Sequence, residues 1–157
     1  MKKKKIAEEL KKYEEMGFDY NQIFEIRLGL EENLDISKYT DPKFNHKQMW
    51  IIRQGLIEKI NVDKYADPKF NDKQMNEICY GLIAGVDVGK YANPKFNDNQ
   101  MAQIRYGLEK GIDVSKYAKP EFNVDQMYKI YKSLKQPMTN TTKPRRERSR
   151  KENNVDK

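Results

Sequence analysis

Apolar and polar positions recur along this chain with a period of 26 residues. Lys38-Tyr39-Thr40-Asp41-Pro42-Lys43-Phe44-Asn45 returns as Lys64 to Asn71, as Lys90 to Asn97 and as Lys116 to Asn123, and a weaker copy, Lys12-Tyr13 to Phe18-Asp19, lies one period upstream. Each copy continues with a glutamine (Gln22, Gln48, Gln74, Gln100, Gln126) and then an isoleucine (Ile26, Ile52, Ile78, Ile104, Ile130) with a Met or Ile three residues before it. A Gly-Leu pair follows, which becomes Ser133-Leu134 in the last copy. No insertion breaks the register, so the repeat is the unit to interpret.

Within a copy, Met49, Ile52 and Leu56 fall at i, i+3 and i+7, one stripe of a 3.6-residue helix. Asn45 is a good N-cap, Gln48 completes a capping box, and Phe44 and Met49 hold the two positions of a hydrophobic staple. The spacing predicts a long helix of about 13 residues starting there. Gly85 and Gly111 stand where a helix C′ residue belongs, and Asn33 and Lys59 fill that place less ideally in earlier copies. After a turn, Asp35, Asn61, Asp87 and Asp113 can cap a second, short helix carrying Ile36, Val62, Val88 or Val114 and Tyr39, Tyr65, Tyr91 or Tyr117. That helix should end before Pro42, Pro68, Pro94 and Pro120.

Neither helix can bury its apolar stripe alone, so successive copies must stack. The expected fold class is all-α, a helical-repeat solenoid of about five 26-residue units, each a long helix plus a short one. Residues 1–12 read as an N-terminal capping helix, 13–136 as the five-copy domain, and 137–157 as a disordered basic tail. Gly29, Gly55, Gly81 and Gly107 lie inside the long helices at a cost of about 1 kcal/mol each relative to Ala. Their recurrence points to close approach of the neighbouring short helix or its Tyr ring.

Charge changes the picture only at the ends. Of 31 Lys and Arg and 24 Asp and Glu, residues 1–12 hold six Lys and two Glu, and residues 137–157 hold seven Lys or Arg and three acids. The ends are +4 each, which leaves −1 for the body. Nucleic acid can be held by such ends through phosphate neutralisation, with Arg145, Arg146, Arg148 and Arg150 in the tail, or the ends can merely solubilise the chain. No apolar run approaches the roughly 20 residues of a membrane span, and the N-terminal lysines are not followed by a signal peptide's apolar segment. A cytoplasmic protein is expected. One cysteine, Cys79, and one histidine, His46, allow neither an internal disulfide nor a Cys/His zinc site. No nucleotide-binding glycine loop, catalytic triad or carboxylate dyad tied to the His is present, so no enzyme, cofactor or small-molecule substrate is expected.

The consensus Lys-Tyr-Ala-Asp-Pro-Lys-Phe-Asn-x-x-Gln-Met-x-x-Ile-Arg-x-Gly-Leu-Glu-x-Gly-Ile-Asp-Val over residues 13–136 resembles helical repeats of mobile-element and phage proteins of gut Gram-positive bacteria. In that group the repeats are accessory modules, sometimes beside antirestriction-like or replication domains, none of which stands here. The resemblance implies a fold, a genomic setting and an anti-defence role such as inhibition of a CRISPR nuclease, and it carries over no catalytic residue.

Repeat proteins hold stacking positions constant and vary the surface that meets a partner. The varying positions of the long helix read Phe24/Leu28/Glu31, Trp50/Gln54/Ile57, Asn76/Tyr80/Ile83, Ala102/Tyr106/Glu109 and Tyr128/Lys132/Lys135. They form a stripe turned about 100 to 160° from the core stripe. An aromatic and aliphatic set of Phe24, Trp50, Gln54, Ile57, Tyr80, Ile83, Tyr106 and Tyr128 has the composition of a protein interface. The other reading is that these side chains fill gaps between helices. Beside the stripe, Arg27, Arg53 and Arg105 recur, with Cys79 and Tyr131 in the remaining copies. Arg53 and Arg105 can grip phosphates and stack bases, or they can bond carbonyls of a neighbouring short helix or an Asp of the next copy. The periodic Tyr and Gln residues read as framework. The expected partner is a protein, a nuclease or nucleoprotein complex, with direct nucleic-acid binding as the alternative.

Overall fold

A computed structural model describes residues 1–135, and the tail arginines Arg145, Arg146, Arg148 and Arg150 lie outside the described residues. Among the described residues the chain is all-helical, with no strand. The helices are α1 (Lys2–Glu15), α2 (Tyr20–Glu31), α3 (His46–Ile57), α4 (Asp72–Ala84), α5 (Asp98–Glu109) and α6 (124–135). From α1 to α5, each helix lies against its neighbour in sequence, α1 on α2, α2 on α3, α3 on α4 and α4 on α5.

Each long helix begins where its capping chemistry puts it. Asn45 Oδ1 accepts from the Gln48 backbone N–H at 2.9 Å and Gln48 Oε1 accepts from the Asn45 N–H at 2.8 Å. The same reciprocal pair opens α2, α4, α5 and α6 through Asp19/Gln22, Asn71/Gln74, Asn97/Gln100 and Asn123/Gln126, each cap contributing about 1 kcal/mol. The glutamine amide has a second task. Gln22 Nε2 donates to the Phe44 carbonyl of the next copy at 2.6 Å, and Gln48, Gln74 and Gln100 donate likewise to Phe70, Phe96 and Phe122 at 2.6 to 2.7 Å.

The helices stop on a left-handed residue, Asn33 (φ 58°), Lys59 (φ 59°), Gly85 (φ 76°) or Gly111 (φ 73°). The following amide then reaches five residues back, from Leu34 to Gly29, Ile60 to Gly55, Val86 to Gly81 and Ile112 to Gly107. This is the Schellman arrangement, and glycine and asparagine adopt it at less cost than the lysine does. Next comes a shorter element than the sequence suggests. Ile36–Lys38, Val62–Lys64, Val88–Lys90 and Val114–Lys116 are single 3₁₀ turns, each with an Asp or Asn accepting from the backbone N–H two residues on. Such a local bond competes with helix propagation, which accounts for three residues where a full helix was expected.

The turn carries a tyrosine across the middle of its own long helix. Tyr39, Tyr65, Tyr91 and Tyr117 are fully buried. The first three donate their hydroxyls to the carbonyls of Glu25, Ile51 and Glu77 at 2.6 to 3.0 Å, whereas the Tyr117 hydroxyl is buried without a partner among the described residues. Each ring lies over a helix glycine. A Cβ on Gly29, Gly55, Gly81 or Gly107 would collide with the Tyr hydroxyl and stand 2.7 to 2.9 Å from the Ile or Val of the same turn. In the last copy the glycine is Ser133, whose hydroxyl bonds the Ile130 carbonyl, and the residue one period beyond Tyr117 is Lys143. Without a tyrosine to admit, the position no longer requires glycine.

The core is one continuous row of these tyrosines with Met49, Met75, Met101, Met127, Ile26, Ile52, Ile78 and Ile104, each at 0% exposure, and the staple residues Phe44, Phe70 and Phe96. At the N-terminal end α1 buries Leu10 and Tyr13 and half-buries Ile6. It runs through residue 12 without a break and keeps its lysines outward.

Candidate functional site

The aromatic and aliphatic side chains at the variable positions are partly exposed. Phe24, Trp50, Ile57, Tyr80, Ile83, Tyr106 and Tyr128 are between 41% and 53% exposed, and Gln54 is half-buried. The framework isoleucines Ile26, Ile52, Ile78 and Ile104 on α2 to α5 are fully buried, and Ile130 on α6 is partly buried. About half of each stripe side chain thus packs against its surroundings while the other half remains uncovered, so gap filling accounts for only part of their surface. Tyr20, 78% exposed and one helical turn from Phe24, extends the apolar surface beyond the residues singled out from sequence. Its lone appearance at a position otherwise His, Asp or Val hid it.

Polar groups edge this surface at specific places. Trp50 forms one wall of a cleft of about 390 Å³ that Glu25, Asp72, Lys47 and His46 also line. The Arg105 guanidinium sits 5.5 Å above the Tyr80 ring, a cation–π distance. Tyr128 stacks on Tyr131 at 6.1 Å, with the Lys132 ammonium 5.3 Å from the Tyr128 centroid.

Arg53 and Arg105 are engaged inside the stack. Arg53 is 5% exposed, and its Nε donates to Glu25 Oε2 at 2.9 Å while Nη1 reaches Glu32 at 3.2 Å. Burial opposes the charge, yet the bonds and charges of the two glutamates outweigh it and hold the guanidinium pKa above its usual value. Arg105 repeats the first of these bonds, Nε to Glu77 of the preceding copy at 2.9 Å, while its Nη1 turns to Glu109 of its own helix at 2.6 Å. An ion pair between copies is therefore present, with a glutamate of the preceding copy in place of an aspartate of the next. The sequence signal for it was available. Positions 25, 51, 77 and 103 read Glu, Ile, Glu, Gln, and positions 53, 79, 105 and 131 read Arg, Cys, Arg, Tyr. Carboxylate goes with arginine, and buried Ile51 goes with buried Cys79. Burial pushes the Cys79 thiol pKa up, which makes it a packing residue rather than a nucleophile.

Among the described residues no group of three or more His, Cys, Asp and Glu is placed to hold a metal ion, and no helix is long and apolar enough to cross a membrane. No protein-family model, curated protein or solved structure matches the chain.

Proposed function

We propose that this chain is a non-enzymatic binding protein whose five copies form one α-solenoid, and that it holds a partner protein on the stripe from Phe24 through Trp50, Ile57, Tyr80, Ile83 and Tyr106 to Tyr128. The observation that carries this reading is the half-exposure of those side chains beside a fully buried framework. Scattered apolar residues are normal on a surface, but aromatic side chains aligned on successive helices are the composition of interface anchors. The likeness of the repeat to mobile-element and phage modules supports a cytoplasmic inhibitor or adaptor acting on a host nuclease or defence complex, an anti-CRISPR-like role among them.

The test is affinity capture from nuclease-treated extract of a gut Gram-positive host, comparing the full chain with a Trp50→Ala/Tyr80→Ala variant of unchanged circular dichroism. Loss of at least about tenfold in capture of a defined protein is expected, since two central aromatic anchors contribute roughly 2 kcal/mol or more each. Undiminished capture removes the stripe from the binding surface.

The +4 ends favour a second reading, direct nucleic-acid binding. It draws on Lys2 to Lys5 of α1 and on the tail rather than on Arg53, whose donors are committed to Glu25 and Glu32. This reading requires affinity to fall by about 0.7 to 0.9 log units per log unit of salt for each phosphate neutralised.

A further inference from the structure

Within the stack Arg53 and Arg105 are each met by a glutamate of the preceding long helix, Glu25 and Glu77, and each has a second carboxylate, Glu32 of the preceding copy for Arg53 and Glu109 of its own helix for Arg105. Glu25 and Glu32, seven residues apart on α2 and its C-cap, close on Arg53 of α3 at 2.9 and 3.2 Å. Arg27 occupies the corresponding position on α2. There the neighbour is α1, and among the described residues no carboxylate forms an ion pair with Arg27.

Arg27 instead lines a groove of about 580 Å³ between α1 and α2. Ile6, Ala7 and Leu10 give the groove an apolar side, and Lys3 and Lys11 add two more cations. Glu14 and Glu31 are its acidic members, so cations outnumber carboxylates three to two. On the rest of α1, Lys2, Lys4, Lys5 and Lys12 outnumber Glu8, Glu9 and Glu15 by one, and Lys2 to Lys5 concentrate the positive charge at the helix start.

We propose that this groove is a second docking site, separate from the aromatic stripe, and that its occupant is an acidic amphipathic helix of a partner protein. Two carboxylates about two helical turns apart would close on Arg27 as Glu25 and Glu32 close on Arg53, while apolar residues between them cover Ile6 and Leu10. A planar guanidinium with several fixed donors favours this paired geometry over a single point contact. The basic tail is excluded as occupant by its charge. A second copy would bring its own lysine-rich α1 against this one.

The molecule supplies the probe. A fluorescent peptide of residues 19–34, carrying Glu25 and Glu32 and stapled as a helix through positions 24 and 28, presents the geometry that Arg53 already accepts. Titrated with the full chain, its anisotropy should rise saturably, and Arg27→Gln in the protein should weaken binding at least about tenfold. Glu25→Gln in the peptide should cost a similar factor, with the two losses less than multiplicative because they remove one contact. Lys3→Gln with Lys11→Gln, two exposed positions that leave the fold untouched, should give a smaller loss that vanishes at high salt. Trp50→Ala should leave peptide binding unchanged, which keeps this site distinguishable from the stripe. Absence of saturable binding, or binding indifferent to Arg27→Gln, overturns the proposal. Sedimentation showing a dimer that Arg27→Gln dissociates would assign the groove to a second copy and overturn it as well.

Discussion

A glycine inside a helix ordinarily weakens it, yet Gly55 is where it must be because Tyr65 passes over it. Gly55→Ala gains about 1 kcal/mol of helix propensity, but the new Cβ displaces a fully buried ring and its bond to the Ile51 carbonyl. Overpacking a tight core site costs typically about 1 to 3 kcal/mol, and the lost hydroxyl bond adds about 1 kcal/mol. A net loss of about 2 kcal/mol is therefore expected in urea unfolding. Gly89→Ser is the control, because Ser37 and Ser115 stand at that exposed position in other copies. The recurrence of glycine was legible in sequence, and so was a tyrosine as its neighbour. The tyrosines also make stability depend on alkaline pH. Burial raises the phenol pKa of Tyr39, Tyr65 and Tyr91 above the ordinary 10.0 and that of Tyr117 to about 12. The folded state holds these protons after the unfolded chain has released them, so stability is intact below the unfolded value and falls as pH rises from about 10 toward 12. Thermal melts by circular dichroism across that range should show a steady drop in midpoint, with phenolate absorbance appearing only as the chain unfolds.

Elements were legible in proportion to how local their causes are. The capping boxes, the staples and the left-handed stops are set within six residues, and Asn45, Gln48, Phe44 and Gly85 announce them. The 3₁₀ turns were overestimated, because a capping Asp or Asn signals a helix start equally well when only one turn follows. What joins one element to the next was harder to see. Reading Gln48 as a framework residue was consistent with its place in every copy, but its bond to the Phe70 carbonyl depends on stacking geometry that no local rule supplies. The arginine partner was missed because its spacing of 28 residues exceeds the repeat period. That spacing carries a prediction for the α2–α3 junction. Arg53→Cys alone leaves Glu25 buried with its charge uncompensated and should cost about 3 to 5 kcal/mol. Adding Glu25→Ile recreates the Ile51 and Cys79 combination of the next junction. That double variant should return to within about 1 kcal/mol of the parent in urea unfolding, since replacing both partners by apolar groups is often neutral. An additive loss in the double variant would show that the junctions are not interchangeable.

Over the whole molecule, stability is a sum over junctions, since each long helix rests on its sequence neighbours. Among the described residues, helices α3 and α4 have a long helix on both sides, whereas α1 packs on α2 and exposes its lysines. Hydrogen exchange should therefore give the slowest amides in α3 and α4, faster ones in α1 and the fastest at the end of α6, where Ser133 has no tyrosine to cover it. Uniform protection along the chain would mean that the copies open as one unit. The glutamine bridges bear on how such a stack yields under load. From Gln22 to Gln100, every junction is tied to the backbone of the next copy along the edge where the long helices begin. Beyond the helix ends the links between copies are side-chain pairs rather than bonds to backbone, Arg53 with Glu32 at the α2 C-cap and half-buried Lys38 with exposed Asp63. One edge is thus stiff and the other compliant, like the spine and the fore-edge of a book, and bending the molecule fans the helix C-termini apart while their N-termini keep their spacing.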